Sequence, residues 1–193
     1  MIQMDKLQSF LCFCIIILLF ENKNKYNSLY TGKLVNISIP RKLSIYRLNE
    51  AIHSDTSFKK HVLKSFHISG YTPATLVEDI QKIKTCINDV RVYRNKQWNS
   101  TIAYVSTFKI SNDIFVNTEY WDTLPMIIQI KTLIHECSHL ILNTQDNAYR
   151  GSELFIKLNG LQAKQNADTL TEVIITLSRS ATVYYSQPLY YQI

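Results

Sequence analysis

A single α+β domain, mainly α, is predicted by three features of the 193-residue chain. Apolar residues recur at helical spacing from Ala74 to about Asn95, two β-rich runs flank Ser111-Asn112-Asp113, and a second apolar stripe runs from Pro125 to Leu142. The length suits one domain with its own core but not two large ones. With 46% hydrophobic and 19% charged residues, and only four Gly and four Pro, the composition excludes a disordered, collagenous or low-complexity chain. The formal charge of +6 comes from 21 basic and 15 acidic residues without a long Lys/Arg block, so nucleic acid is not an expected partner.

Phe10 to Phe20 form an unbroken apolar run of about eleven residues between Lys6 and Glu21-Asn22-Lys23, the pattern of a secretory h-region. A membrane span needs about 20 apolar residues. Residues 1–25 are therefore expected to be a signal peptide or an N-terminal anchor, and residues 26–193 the folded domain of a secreted or otherwise extracytoplasmic protein. Membrane contact is expected only through an uncleaved N-terminal segment. Cys12 and Cys14 lie within the apolar run, which leaves Cys86 and Cys137 either as a disulfide pair or as two buried thiols.

Along the domain, Val35, Ile37 and Ile39 alternate with polar residues and read as a half-buried strand, and Leu43 and Ile45 as a second short one. Glu50 to His67 reads as helical. Thr72-Pro73 marks a helix start, because Thr caps and Pro is tolerated in the first turn. Leu76, Ile80, Ile83, Ile87 and Val90 then recur at three- and four-residue steps, a long amphipathic helix. Ile102–Ile110 and Ile114–Trp121 are expected to pair as a hairpin. Pro125 opens the next helix, the polar loop NTQDNAYRGS follows it, and a last helix is expected from about Leu161 to Ser178. The aromatic-rich end, YYSQPLYYQI, reads as a packed tail.

The segment LIHECSHL places His135 and His139 four residues apart with Glu136 between them, an HExxH motif. On a helix, residues four apart share a face, so both imidazoles can reach one zinc ion while Glu136 addresses a water beside it. Ile130, Leu133, Ile134, Cys137, Leu140 and Ile141 cluster in another sector of the wheel, so the two histidines do not continue the core stripe. Cys137 therefore reads as core. The remaining histidines, His53, His61 and His67, share no ligand spacing and read as surface or structural residues.

A catalytic zinc ion usually takes three protein ligands. The metzincin continuation is excluded, because Leu142 stands where its Gly and Gln145 where its third His would be. The acidic candidates downstream are Asp146, Glu153, Asp168 and Glu172. Asp146 is the most attractive, since a turn after the helix can fold its carboxylate back over the histidine pair.

These residues resemble the aspzincins, the deuterolysin-like and peptidyl-Lys metallopeptidases. Their HExxH is followed by GTxDxxYG, and here the second element reads Asn143-Thr144-Gln145-Asp146-Asn147-Ala148-Tyr149-Arg150-Gly151. Asn143 replaces the first Gly and Arg150 is inserted before the last. Asn166-Ala167-Asp168 is similar to a later segment of the family, and the likeness spans roughly Trp98 to Leu177. The resemblance implies a zincin-like fold with a small antiparallel sheet and an HExxH active-site helix. It also implies Zn2+ held by His135, His139 and Asp146, with Tyr149 assisting the reaction.

The expected activity is zinc-dependent hydrolysis of a protein or peptide substrate by a monomer, with Glu136 as general base and then acid, and Tyr149 donating to the oxyanion. Asp168 matches the leading acid of a pocket for a basic side chain, with Glu172 one position later than a second acid would stand, which suggests preference for Lys at the cleavage site. The strand through Phe115, Val116 and Tyr120 is expected to border the cleft and take an extended peptide by edge pairing. The rival readings are a gluzincin-type site that uses Glu153 or Glu172 as third ligand, and a non-catalytic secreted binding protein on a zincin scaffold.

Overall fold

The computed structural model describes residues 32–95, 102–105, 112–117 and 119–179. The expected N-terminal segment, Cys12, Cys14 and the aromatic tail lie outside them. In chain order the elements are α1 (Ser38–His53), α2 (Thr56–Ser65), α3 (Pro73–Asp89), β1 (Arg91–Asn95), β2 (Ala103–Val105), β3 (Asp113–Asn117), a 3-10 turn (Trp121–Thr123), α4 (Met126–Leu142), and the shorter α5 (Glu153–Lys157), α6 (Gly160–Gln165) and α7 (Ala167–Leu177). This is an α+β fold in which helices dominate. No helix among the described residues is long and apolar enough to cross a membrane.

The strands expected around residues 35–39 and 43–45 are not formed. Ser38–His53 is a helix whose buried residues are Pro40, Ser44, Leu48 and Ala51, spaced at helical intervals, while Ile39 and Leu43 face outward. Pro40 is tolerated because it sits in the first turn, where a backbone N–H has no intrahelical acceptor to find. The alternation of isoleucines is thus incidental to a stripe built partly of Pro, Ser and Ala. Only the stretch before the helix is extended: Leu34 pairs antiparallel with Tyr93, and the N–H of Val35 donates to Val92 O at 2.8 Å.

Helix α3 starts as the sequence predicts, with Thr72 Oγ1 accepting from the N–H of Thr75 at 3.1 Å and Pro73 in the first turn. It ends at Asp89, earlier than expected. Val90 turns extended, and the chain after it switches from helical to two-residue periodicity, so Val90 and Val92 are both buried. The resulting strand β1 pairs parallel with β3, and β2 pairs antiparallel with β3, in the order β1-β3-β2. The sheet is therefore mixed and not antiparallel, because β1, reached through α3, enters beside β3 in the same direction.

The expected pairing of β2 with β3 is present, with Tyr104 opposite Phe115. Strand β3 is the central one, with all five residues buried. Both of its edges are occupied, so it cannot bind a peptide by edge pairing, contrary to expectation. On one sheet face Tyr93, Phe115 and Tyr104 stack in a row across the three strands. On the other, Val92, Ile114, Val116 and Ala103 join the helical core.

Helix α4 is the centre of that core, packed by α1, α3 and α7 and flanked by β2. Trp121, almost fully buried, anchors the turn before it, and Gln129 Nε2 donates to Trp121 O and Leu124 O at 3.2 and 3.1 Å. Behind the helix Cys86 of α3 and Cys137 of α4 are free, buried thiols with their Sγ atoms 2.7 Å apart. Burial pushes the Cys137 thiol well up. The core placement expected of Cys137 holds.

Candidate metal centre

Helix α4 buries Ile130, Leu133, Ile134, Cys137 and Leu140 against its neighbours, and this fixes its rotation. His135 and His139 then lie one turn apart on a partly open face, with ring centroids separated by 4.7 Å and planes at 85°. Their Nε2 atoms are 3.1 Å apart. Asp146 Oδ1 lies 3.0 Å from Nε2 of His135 and 3.2 Å from Nε2 of His139. The three atoms form a nearly equilateral triangle. No protein-family model and no curated protein matches this chain.

The triangle has the dimensions of a metal site: a tetrahedral ion with bonds of about 2.0–2.1 Å separates its ligand atoms by about 3.3–3.4 Å. The residue types fit as well. His139 Nδ1 lies 2.8 Å from the carbonyl oxygen of Thr144, to which it donates, so the neutral ring turns the lone pair of Nε2 toward an anionic carboxylate. Each Nε2 can present its lone pair to a cation at that point or, when it carries a hydrogen, donate to Asp146. Burial pulls the His139 pKa down, but the hydrogen bond to Asp146 and the one to Thr144 outweigh it and leave the pKa raised. Hydrogen bonds from His135 and His139 hold the Asp146 carboxyl far below the usual range. Among the described residues, His135, His139 and Asp146 form the group able to hold a metal ion.

The loop that returns Asp146 is built from local and distant contacts. Asn143 ends α4 in the left-handed region, with φ 56 and ψ 33, a conformation that Gly adopts freely and Asn tolerates better than most residues. Thr144 next buries its hydroxyl 2.7 Å from Ser138 Oγ. Gln145 pairs in a parallel bridge with Asn166, its N–H donating to Gln165 O at 2.7 Å and its carbonyl accepting from Ala167 N at 3.0 Å.

Asn166 is the clamp that the sequence reading did not assign. It breaks the expected long helix into α6 and α7, with φ −90 and ψ 121, and is completely buried. Its Oδ1 accepts from the N–H groups of Asn147 and Ala148 at 2.9 and 3.1 Å. Its Nδ2 donates to Ala148 O at 2.8 Å and Thr169 Oγ1 at 2.9 Å. An isolated Asn in a loop–helix junction carries little sequence signal, and only its place in the Asn-Ala-Asp segment drew attention to it.

Glu136 is 5% exposed, and burial pushes its carboxyl above the ordinary value despite the lowering influence of His135 and His139. Tyr149 stacks on His135 with ring centroids 6.3 Å apart and planes at 13°. Its phenol is pushed up to about 12, first by burial and then by the Asp146 carboxylate, with which it also shares a hydrogen bond. Asp168 on α7 accepts from the backbone N–H of Arg150 at 2.5 Å. The other acidic candidates are engaged elsewhere: Glu153 pairs with Lys157 at 3.3 Å on the surface, and buried Glu172 pairs with both Lys131 and Arg150. His53, His61 and His67 are exposed, as expected.

Proposed function

We propose that this chain is a zinc-dependent metalloendopeptidase of the aspzincin type on a zincin-like fold, acting outside the cytoplasm as a monomer. The observation that carries the reading is the convergence of His135 Nε2, His139 Nε2 and Asp146 Oδ1 on one point with Glu136 one residue round the same helix. Two imidazoles and one carboxylate suit Zn2+ better than Mg2+ or Ca2+, which favour all-oxygen sites. When bound, zinc supplies Lewis acidity to a carbonyl and lowers the pKa of water.

The protein's own groups do the remainder. Glu136, raised by burial, takes a proton from the attacking water and returns it to the leaving amine. Tyr149, kept protonated by its raised pKa, donates its phenolic hydrogen to the developing oxyanion, for which it must exchange its present bond to Asp146. Thr144 O holds the His139 ring in the tautomer that presents Nε2. Strand β2, on the side of β3 toward α4, is the strand beside which an extended peptide lies in this reading.

The test is hydrolysis of a mixed peptide library by purified protein loaded with zinc. Cleavage that stops with a chelator and returns with added Zn2+ is expected. Stoichiometric zinc binding without cleavage of any peptide would favour a binding protein on the same scaffold.

A further inference from the structure

A cluster of four charged side chains lies immediately beside the metal ligands. Glu172 of α7 has a side chain only 3% exposed, and its two oxygens are divided between Lys131 of α4 and Arg150 of the ligand loop. Arg150 is the residue after Tyr149, whose ring stacks on His135, and its backbone N–H is bonded to Asp168. The Lys131 side chain is 16% exposed and that of Arg150 47%, so the lysine lies behind the carboxylate and the guanidinium in front of it, toward solvent.

Charge decides what this cluster accepts. Two carboxylates and two cations share the cluster, so its charges sum to zero, and both oxygens of Glu172 are already taken by the two cations. A buried carboxylate that already holds two charge-assisted bonds gains little from a third cation, whereas the third cation must shed its water.

We propose that Arg150 is a built-in occupant of the acidic cluster, so that the enzyme disfavours substrates with Lys or Arg on that side of the scissile bond and takes uncharged or acidic side chains there. This rests on the peptidase reading for its consequence in catalysis, but the occupancy itself does not. The preference for Lys implied by the resemblance needs a carboxylate with charge to spare: Glu172 has none while Arg150 is in place, and the leading acid, Asp168, is engaged by the backbone N–H of Arg150. Removing the guanidinium leaves two carboxylates against Lys131 alone, a net charge of −1, which one ammonium group restores to neutrality.

The experiment has two arms on the full domain, in wild type, Arg150→Ala and Arg150→Gln, the last keeping side-chain bulk should the alanine variant fold poorly. In the first arm n-butylammonium, which carries the end of a lysine side chain, is titrated while the carboxyl carbon of Glu172 is followed by NMR. Saturable shifts are expected in the variants and not in wild type; equal responses in all three, including none, overturn the proposal. In the second arm the zinc-loaded proteins cleave a peptide set that varies the side chain flanking the scissile bond. Either variant is expected to raise the kcat/KM ratio of Lys over Leu substrates at least tenfold. A wild type that already prefers Lys, or an unchanged ratio, overturns it. A wild type that binds no butylammonium and cleaves nothing overturns the peptidase reading alone, and the first arm still decides the role of Arg150.

Discussion

The Nδ1 of His139 lies 2.8 Å from the carbonyl oxygen of Thr144, five residues later and beyond the end of the helix. This one contact couples ring orientation to loop path: the turn that carries Thr144 back under the histidine also brings Asp146 over both Nε2 atoms. The tautomer of His139 and the position of Asp146 are thus set by the same short piece of chain.

Asp146→Ala is expected to weaken zinc binding by more than about 100-fold, because two imidazoles alone leave the ion short of the three ligands such sites provide. Glu153→Ala should leave the affinity unchanged, since its carboxylate is exposed and paired with Lys157. Competition with a chromophoric chelator measures both. The reverse ranking would assign the third ligand to Glu153.

Glu136→Gln should retain the metal and lower kcat by about 10²–10⁴-fold, the range for loss of a general base. Isotherms with Zn2+ and turnover on one peptide separate the two properties. An undiminished rate would remove Glu136 from proton transfer.

Asn166→Ala removes four hydrogen bonds from a fully buried site and strands the N–H groups of Asn147 and Ala148. A loss of about 2–3 kcal/mol in unfolding free energy is expected. Zinc affinity should fall too, although Asn166 is no ligand, because the loop that holds Asp146 loses its clamp. Chemical denaturation and chelator competition on one sample test the pair of effects.

Asn143→Gly should keep or slightly raise stability, whereas Asn143→Val should lower it by about 1–2 kcal/mol, since a β-branched residue resists φ 56. Thermal melts of the metal-free proteins distinguish these outcomes. Equal melting points would show that the left-handed turn is not retained in solution.

Protonation of the metal-free triad gives a pH dependence of defined sign. The His139 pKa is raised, so its contribution to stability is complete below its ordinary value of 6.5 and disappears as pH rises through the raised value. Asp146 is lowered, so its contribution is present above 3.8 and is lost as pH falls toward the depressed value. The metal-free protein should receive the most from this pair between about pH 4 and 6.5. Zinc displaces the His139 proton, so affinity should climb with pH across the raised pKa and binding should release a proton, which calorimetry in two buffers detects. Affinity independent of pH would contradict the raised pKa of His139.

His135, Glu136 and His139 were legible in the sequence, because a four-residue interval within one amphipathic helix specifies both spacing and face without help from the rest of the chain. The start of α3 at Thr72-Pro73 and the β2–β3 pairing were legible for the same local reason. Strand β1 and helix α1 were not, since Val90 fits a helical stripe as well as it fits a strand, and the buried face of α1 contains Pro40, Ser44 and Ala51 in place of a run of large apolar residues.

By itself, then, the sequence determined a mainly helical α+β chain with a histidine pair and a carboxylate on one helix. Tertiary structure decided which acid stands against the histidine pair, that the sheet is mixed, and that Arg150 stands against Glu172. The physical reason is range: helix periodicity acts over three or four residues, whereas the return of Asp146 depends on Asn166 twenty residues away, and the engagement of Glu172 on cations from two other segments.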